Sequence, residues 1–150
     1  MISKTAKYAL RAVLYIARES EDAPVRANEI AEVLGVPGNY LSKILHTLAR
    51  AGTLNSERGP RGGFRLARTA DEVWLADLLE ALDPSALRPD CLLGNPECSD
   101  QAGCAVHERW RAVREPVCRF FRETTIADVL DGAPGAVSLV RTGSLQSGAN

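Results

Sequence analysis

The chain has 150 residues and a formal net charge of −1, with 45% hydrophobic, 25% charged and only 5% aromatic content. That size buries a core without disulfides or metals, and the composition excludes collagen-like, mucin-like and disordered chains. No apolar run approaches the roughly 20 residues of a membrane helix, and Met1–Ala12 lacks a signal-peptide core, so a cytoplasmic protein with no membrane partner is expected.

Ile2, Ala6, Ala9, Leu10, Val13, Leu14 and Ala17 recur at three- and four-residue steps, which predicts a helix from Ile2 to Arg18 with one apolar face. The polar run Glu19–Pro24 ends it. Arg26–Leu34 predicts a short helix burying Ile30, Val33 and Leu34, closed by Gly35 in the left-handed region. After the turn Val36-Pro37-Gly38, a third helix spans Asn39–Ala51 and stops at Gly52. Two short helices joined through a tight glycine-containing turn make a helix-turn-helix. In the third helix Tyr40, Leu41, Ile44, Leu45 and Leu48 form the apolar side, while Asn39, Ser42, Lys43, His46 and Arg50 share the opposite one. Asn and Lys are types that read base edges, and Arg and Ser hold phosphates.

Two short extended runs, Thr53–Glu57 and Phe64–Arg68, flank Arg58-Gly59-Pro60-Arg61-Gly62-Gly63. A glycine-rich hairpin directly after a reading helix is a wing, and Arg58, Arg61, Arg65 and Arg68 are placed to grip phosphate or enter a minor groove. No Gly-Lys-Ser/Thr follows the loop, which argues against a nucleotide cradle. The charge distribution agrees: residues 36–68 hold 6 Lys/Arg against 1 Asp/Glu, residues 1–35 balance at 5 against 5, and residues 69–150 hold 7 against 13. A basic block confined in this way points to a polyanion surface.

Thr69-Ala70-Asp71-Glu72 has capping-box spacing and predicts a helix from there to about Leu82, closed by Asp83-Pro84. Residues 84–103 then form a loop of an unusual length that is functional or disordered in most chains. From Ala105 to about Leu130 one long helix is expected, with Pro116 as a kink. Along it Val106, Trp110, Val113, Val117, Phe120, Thr124 and Ala127 alternate in steps of four and three, a heptad-like seam for dimerisation. Residues 131–150 have the composition of a flexible tail.

The loop holds three of the four cysteines: Cys91, six residues, Cys98, five residues, Cys104, then two residues to His107. Clustered thiols in a cytosolic chain are more often metal-binding or catalytic than disulfide-bonded. Three thiolates and an imidazole close either a tetrahedral zinc site or an iron–sulfur centre, and spacings of five and six favour the larger cofactor over zinc. Cys118, eleven residues past His107 beside Val117 and Phe121, is expected to be a packed thiol rather than a ligand.

Together, Lys7-Tyr8-Ala9-Leu10-Arg11, Tyr40-Leu41-Ser42-Lys43-Ile44-Leu45, Arg58-Gly59-Pro60-Arg61-Gly62-Gly63-Phe64-Arg65-Leu66 and the three-cysteine loop resemble the IscR/NsrR type of bacterial winged-helix regulators, the Rrf family. The resemblance covers roughly residues 1–130. It implies a homodimer on a palindromic operator in double-stranded DNA, with crossed long helices and an iron–sulfur cluster as sensor. In IscR-like members three cysteines and a histidine hold a 2Fe–2S cluster, which maps onto Cys91, Cys98, Cys104 and His107. NsrR-like members hold a 4Fe–4S cluster that reacts with nitric oxide, some with a carboxylate from helix one of the partner; Lys7 stands at that position here, which favours the histidine version. The chain departs from the pattern in its first cysteine spacing, six residues rather than five. It departs also in Arg61 within the wing glycines and in Ser42 where IscR-like proteins carry an acidic residue.

The expected fold is mostly α with a small β-hairpin wing. A winged helix-turn-helix DNA-binding domain (1–82) is followed by a cysteine-containing sensor loop (83–104), a dimerisation helix (105–130) and a tail (131–150). The expected function is a non-enzymatic transcription regulator, a repressor, that senses iron–sulfur status, redox state or nitric oxide. The alternative is a winged regulator with structural zinc or no metal that responds to thiol oxidation or a partner protein.

Overall fold

A computed structural model describes residues 2–20, 23–88, 91–95 and 105–132. The first helix, α1 (Lys4–Glu19), is capped by the Ser3 hydroxyl, which accepts from the Ala6 N–H at 3.1 Å. Its buried side is Ala6, Ala9, Ala12, Val13 and Ile16. Small residues at the N-terminal half let neighbouring helices approach closely. Helix α2 (Ala27–Leu34) ends at Gly35, whose φ of 64° permits the left-handed cap without a Cβ penalty. Helix α3 (Gly38–Arg50) buries Leu41, Ile44, Leu45 and Leu48 against α1 and α2. Each such side chain contributes roughly 1.5–3 kcal/mol on leaving water.

Strands β1 (Leu54–Glu57) and β2 (Gly63–Leu66) pair antiparallel with Leu54 opposite Leu66 and Glu57 opposite Gly63. The hairpin has a further partner that the sequence does not announce. Val25, ahead of α2, forms a bridge to Phe64, with Val25 N–H to Phe64 O at 2.9 Å and Phe64 N–H to Val25 O at 2.8 Å. Gly63 makes this possible: a Cβ there would lie 2.5 Å from the Val25 carbonyl oxygen.

Two expected helices differ. Thr69–Glu72 form a turn, closed by Glu72 N–H to Thr69 O at 2.9 Å, and the helix α4 begins only at Leu75, ending at Leu82. Residues 73–75 are held extended by pairing with a distant segment: Ile126 N–H donates to Val73 O at 2.8 Å and Leu75 N–H to Thr124 O at 2.9 Å. The Asp77 carboxylate then receives the Trp74 N–H at 3.1 Å and opens α4.

The same pairing divides the expected 105–130 helix. Helix α5 (His107–Glu123) runs through Pro116, stops at the extended pair Thr124-Thr125, and α6 (Ile126–Asp131) follows. Thr125 and Asp128 form the capping box that starts α6, and the Thr125 backbone and hydroxyl donors hold the Asp128 carboxyl below its ordinary value. Ile126 is fully buried in the same core as α1 to α3. Between α4 and α5 a 3-10 turn spans Pro84–Leu87. Residues 133–150, which include most of the expected tail, lie outside the described residues.

Candidate nucleic-acid interface and sensor loop

Helix α3 is anchored at its start by Tyr40, whose hydroxyl shares a 2.8 Å hydrogen bond with Thr5 Oγ1 and whose ring meets Tyr8 edge-on at 6.2 Å. With the apolar side fixed, Asn39, Lys43, His46 and Arg50 are exposed and Ser42 is half-buried. The Arg50 guanidinium reaches Thr47 Oγ1 at 3.4 Å, and Thr47 itself donates to the Lys43 carbonyl at 3.0 Å. The His46 ring packs edge-on against Phe64 at 5.1 Å and so joins the reading helix to the wing.

Between α3 and the wing lies an open groove of about 490 Å³ lined by His46, Arg50, Asn55, Ser56 and Arg58. A neighbouring hollow of about 550 Å³ shares His46 and Arg58 and adds Arg26 and Asn28 at the start of α2. Arg61 is exposed at the wing tip. Arg26 hydrogen-bonds the Pro60 carbonyl and steadies that tip. The structure therefore brings His46, Arg50 and Arg58 to one concave surface. Arg65 differs from the others, because its Nε pairs with Glu57 Oε1 at 2.8 Å across the hairpin. Arg68 is likewise paired, with Asp77 at 2.8 Å.

Asn55, Ser56, Arg26 and Asn28 were not singled out by sequence reasoning. The polar run after Leu54 was the available signal for Asn55 and Ser56, both exposed in β1; Arg26 and Asn28 line the neighbouring hollow, where the Val25–Phe64 bridge brings the start of α2 beside the wing.

Of the four residues expected in the sensor, Cys91 is half-buried at the head of a turn closed by Gly94 N–H to Cys91 O at 3.0 Å. His107 is half-buried in the first turn of α5. Cys98 and Cys104 lie outside the described residues, and among those described no group of three His, Cys, Asp or Glu is gathered for a metal ion. Cys118 is buried, with its thiol 3.8 Å from the Ala86 carbonyl oxygen, as expected of a packed cysteine.

The apolar side of α5 faces two ways. Arg114, Cys118 and Phe121 turn toward the rest of the chain, while Val106, Val113 and Phe120 remain 39%, 60% and 55% exposed. Val113 and Phe120 lie seven residues apart on one line of the helix, and Val106, the residue just ahead of α5, continues that spacing.

Comparison with known proteins agrees with this arrangement. The model of the Rrf2 family, iron-dependent transcriptional regulators, matches residues 2–132. The chain belongs to the Rrf2 family. A protein of Aquifex aeolicus assigned to the HTH-type transcriptional regulators is 36% identical over 133 residues, spanning 87% of this chain and 92% of that protein. IscR of Vibrio atlanticus is 29% identical over 129 residues, with 86% and 74% covered. Among solved structures, T. potens IscR matches with a TM-score of 0.72 at 25% identity over 91% of this chain and 90% of that one. CymR, the global cysteine regulator of B. subtilis, matches in fold with a TM-score of 0.73 at 24% identity over 88% and 97%. This Rrf2 protein is thus a DNA-binding transcriptional regulator of winged-helix fold and not an enzyme. No helix among its described residues is long and apolar enough to cross a membrane.

Proposed function

We propose that this Rrf2 regulator binds a palindromic operator in double-stranded DNA as a homodimer and represses transcription from it. In this reading Asn39, Ser42, Lys43, His46 and Arg50 face the major groove, while Arg58 and Arg61, with Arg65 behind them, hold the adjacent backbone or minor groove. The observation that carries it is the single groove lined by His46, Arg50 and Arg58, with exposed Lys43 and Arg61 on the same helix and wing. Ionic contacts of this kind fix register on phosphate, and Asn39 and Lys43 are the residues suited to base edges. The exposed line Val106, Val113, Phe120 supports a dimer through α5.

For the sensor, Cys91, Cys98, Cys104 and His107 form the donor set. Its chemistry, three thiolates and one imidazole, fits a 2Fe–2S cluster, with 4Fe–4S as the other nuclearity and zinc as the redox-inert competitor. When bound, the cluster supplies a centre that responds to iron–sulfur supply, oxidation or nitric oxide. The chain's part is to hold Cys91 in the turn before α5 and His107 at the helix start, so that ligation draws on both. Ligand state acts on DNA only through unequal affinity for the two arrangements of the dimer.

The test is purification without air, with visible absorption and Mössbauer spectroscopy, followed by fluorescence anisotropy on a duplex recovered by selection from random sequence. A brown protein whose DNA affinity changes on loss of the cluster supports the proposal. Colourless protein with stoichiometric zinc, or regulation that persists with Cys91, Cys98 and Cys104 all changed to Ser, overturns the sensor part.

A further inference from the structure

Arg114 is the only charged residue that is buried among the described residues, at 9% exposure, although it sits on a helix whose other arginines are exposed. One guanidinium nitrogen, Nη2, lies 3.0 Å from Ser85 O, 3.3 Å from Ala86 O and 2.8 Å from Arg88 O. Two N–H groups thus serve three carbonyls, one of them in a shared bond. Arg122 Nη2 takes the remaining carbonyl of the run, Leu87 O, at 2.9 Å. Cys118 lies beneath Ala86, and the Trp110 ring lies 5.9 Å from the Arg114 guanidinium carbon. Four consecutive carbonyls, 85 to 88, are therefore bound by one helix.

The position of this contact gives it a consequence. Arg88 is three residues before Cys91, and α5 begins at His107 and carries the exposed line Val113 and Phe120. The start of the cysteine loop cannot shift without either moving α5 or breaking charge-assisted bonds made in a partly dry site. We infer that Arg114 is a positioning residue: it clamps the start of the cysteine loop to α5, so that a change in the loop is passed to the dimer-forming face of that helix. The clamp itself stands on geometry; its regulatory use rests on the sensor reading proposed above.

The two parts are tested separately. With Cys91, Cys98 and Cys104 changed to Ser, Cys118 is the only remaining thiol of the four in the chain and reports on the turn that covers it. In that background Arg114→Met is expected to raise the iodoacetamide alkylation rate of Cys118 by about tenfold or more, the factor that corresponds to losing one charged hydrogen bond. Amide exchange is expected to rise at residues 85–88 and not in α1 to α3. Arg114→Lys, which keeps the charge with a shorter reach and without the planar fork, serves if the Met variant unfolds and should give the same local rise at smaller size. Unchanged alkylation and exchange overturn the clamp, and so does an equal rise throughout the winged core, which marks a merely structural arginine.

In the full chain, reconstituted with ferrous iron and sulfide, Arg114→Met should keep the DNA affinity of the cluster-free protein within about twofold and lose the change that loading produces. Retention of the full change overturns the regulatory use. If the parent itself shows no change on loading, the sensor reading fails while the alkylation result still decides the clamp.

Discussion

Gly63→Ala is the sharpest test of how the wing is held. The added methyl would lie 2.5 Å from the Val25 carbonyl oxygen and 2.7 Å from its carbon, both backbone atoms that cannot rotate away. Carbon needs nearly an ångström more than this, so β2 must separate from residues 24–26. That separation removes the hydrogen bonds Val25 N–H to Phe64 O and Phe64 N–H to Val25 O, at 2.9 and 2.8 Å. At about 0.5–1.5 kcal/mol each, the loss is about 1–3 kcal/mol, or roughly 2–12 °C in Tm for a chain of this size. The displacement also pulls Phe64 from His46 and turns the wing away from α3. Differential scanning fluorimetry reads the first effect and fluorescence anisotropy on the selected duplex the second. A variant with parental Tm and parental DNA affinity would falsify the idea that the segment before α2 fixes the wing angle.

Arg61→Ala, at the exposed tip, should leave Tm unchanged but reduce the salt dependence of DNA binding by about one unit of slope; an unchanged slope places Arg61 off the phosphates. Lys43→Ala is expected to relax base preference by roughly 1–3 kcal/mol in competition assays, whereas uniform weakening on all sequences makes it a phosphate contact. Phe120→Glu puts a charge in the exposed line of α5 and should shift the protein to monomer in sedimentation; a dimer of parental stability assigns the interface elsewhere. Burial raises the Asp83 carboxyl, but hydrogen bonds from the Ser3 backbone and from the Ser85 and Ser3 hydroxyls outweigh it, and its value in the folded chain is lowered. A carboxylate lowered on folding stabilises above its unfolded value and loses that contribution as pH falls through the folded one. The Tm gap between the parent and Asp83→Asn should therefore narrow below about pH 4, and a constant gap would show that the charge is not what Ser3 and Ser85 recognise.

The reading helix, its two faces, the Gly35 cap and the hairpin were legible because each is written in neighbouring residues: 3.6-residue periodicity, a tight turn, a glycine-rich tip. The pairing of 73–75 with 124–126 was not, because its partners are some fifty residues apart and neither segment alternates long enough to signal a strand. It redirected two local signals. Thr69–Glu72 kept their mutual contact, with Thr69 Oγ1 and Glu72 Oε2 3.0 Å apart, yet no helix follows them directly. Thr125–Asp128, a capping box of the same logic inside the expected long helix, starts α6. Arg114 was hidden for a different reason: nothing in a sequence distinguishes an arginine that serves three carbonyls from the solvated arginines around it. At the interface, Lys43, His46, Arg50, Arg58 and Arg61 were readable from charge and spacing. The neutralising partner of Arg65 required knowing that Glu57 stands across the hairpin.

The burial of Ile126 beneath α1 has a bearing on how the chain is made. Its core mates on α1 leave the ribosome more than a hundred residues before it does, so the core stays incomplete until that later segment emerges. A nascent chain extended only to residue 100 already carries the reading helix and wing but has an open seat where Ile126 belongs. Contacts of such sequence separation form late and slowly. A fragment ending before residue 124 should therefore be prone to proteolysis and aggregation, and full DNA-binding competence should be acquired only once residues 124–126 have emerged.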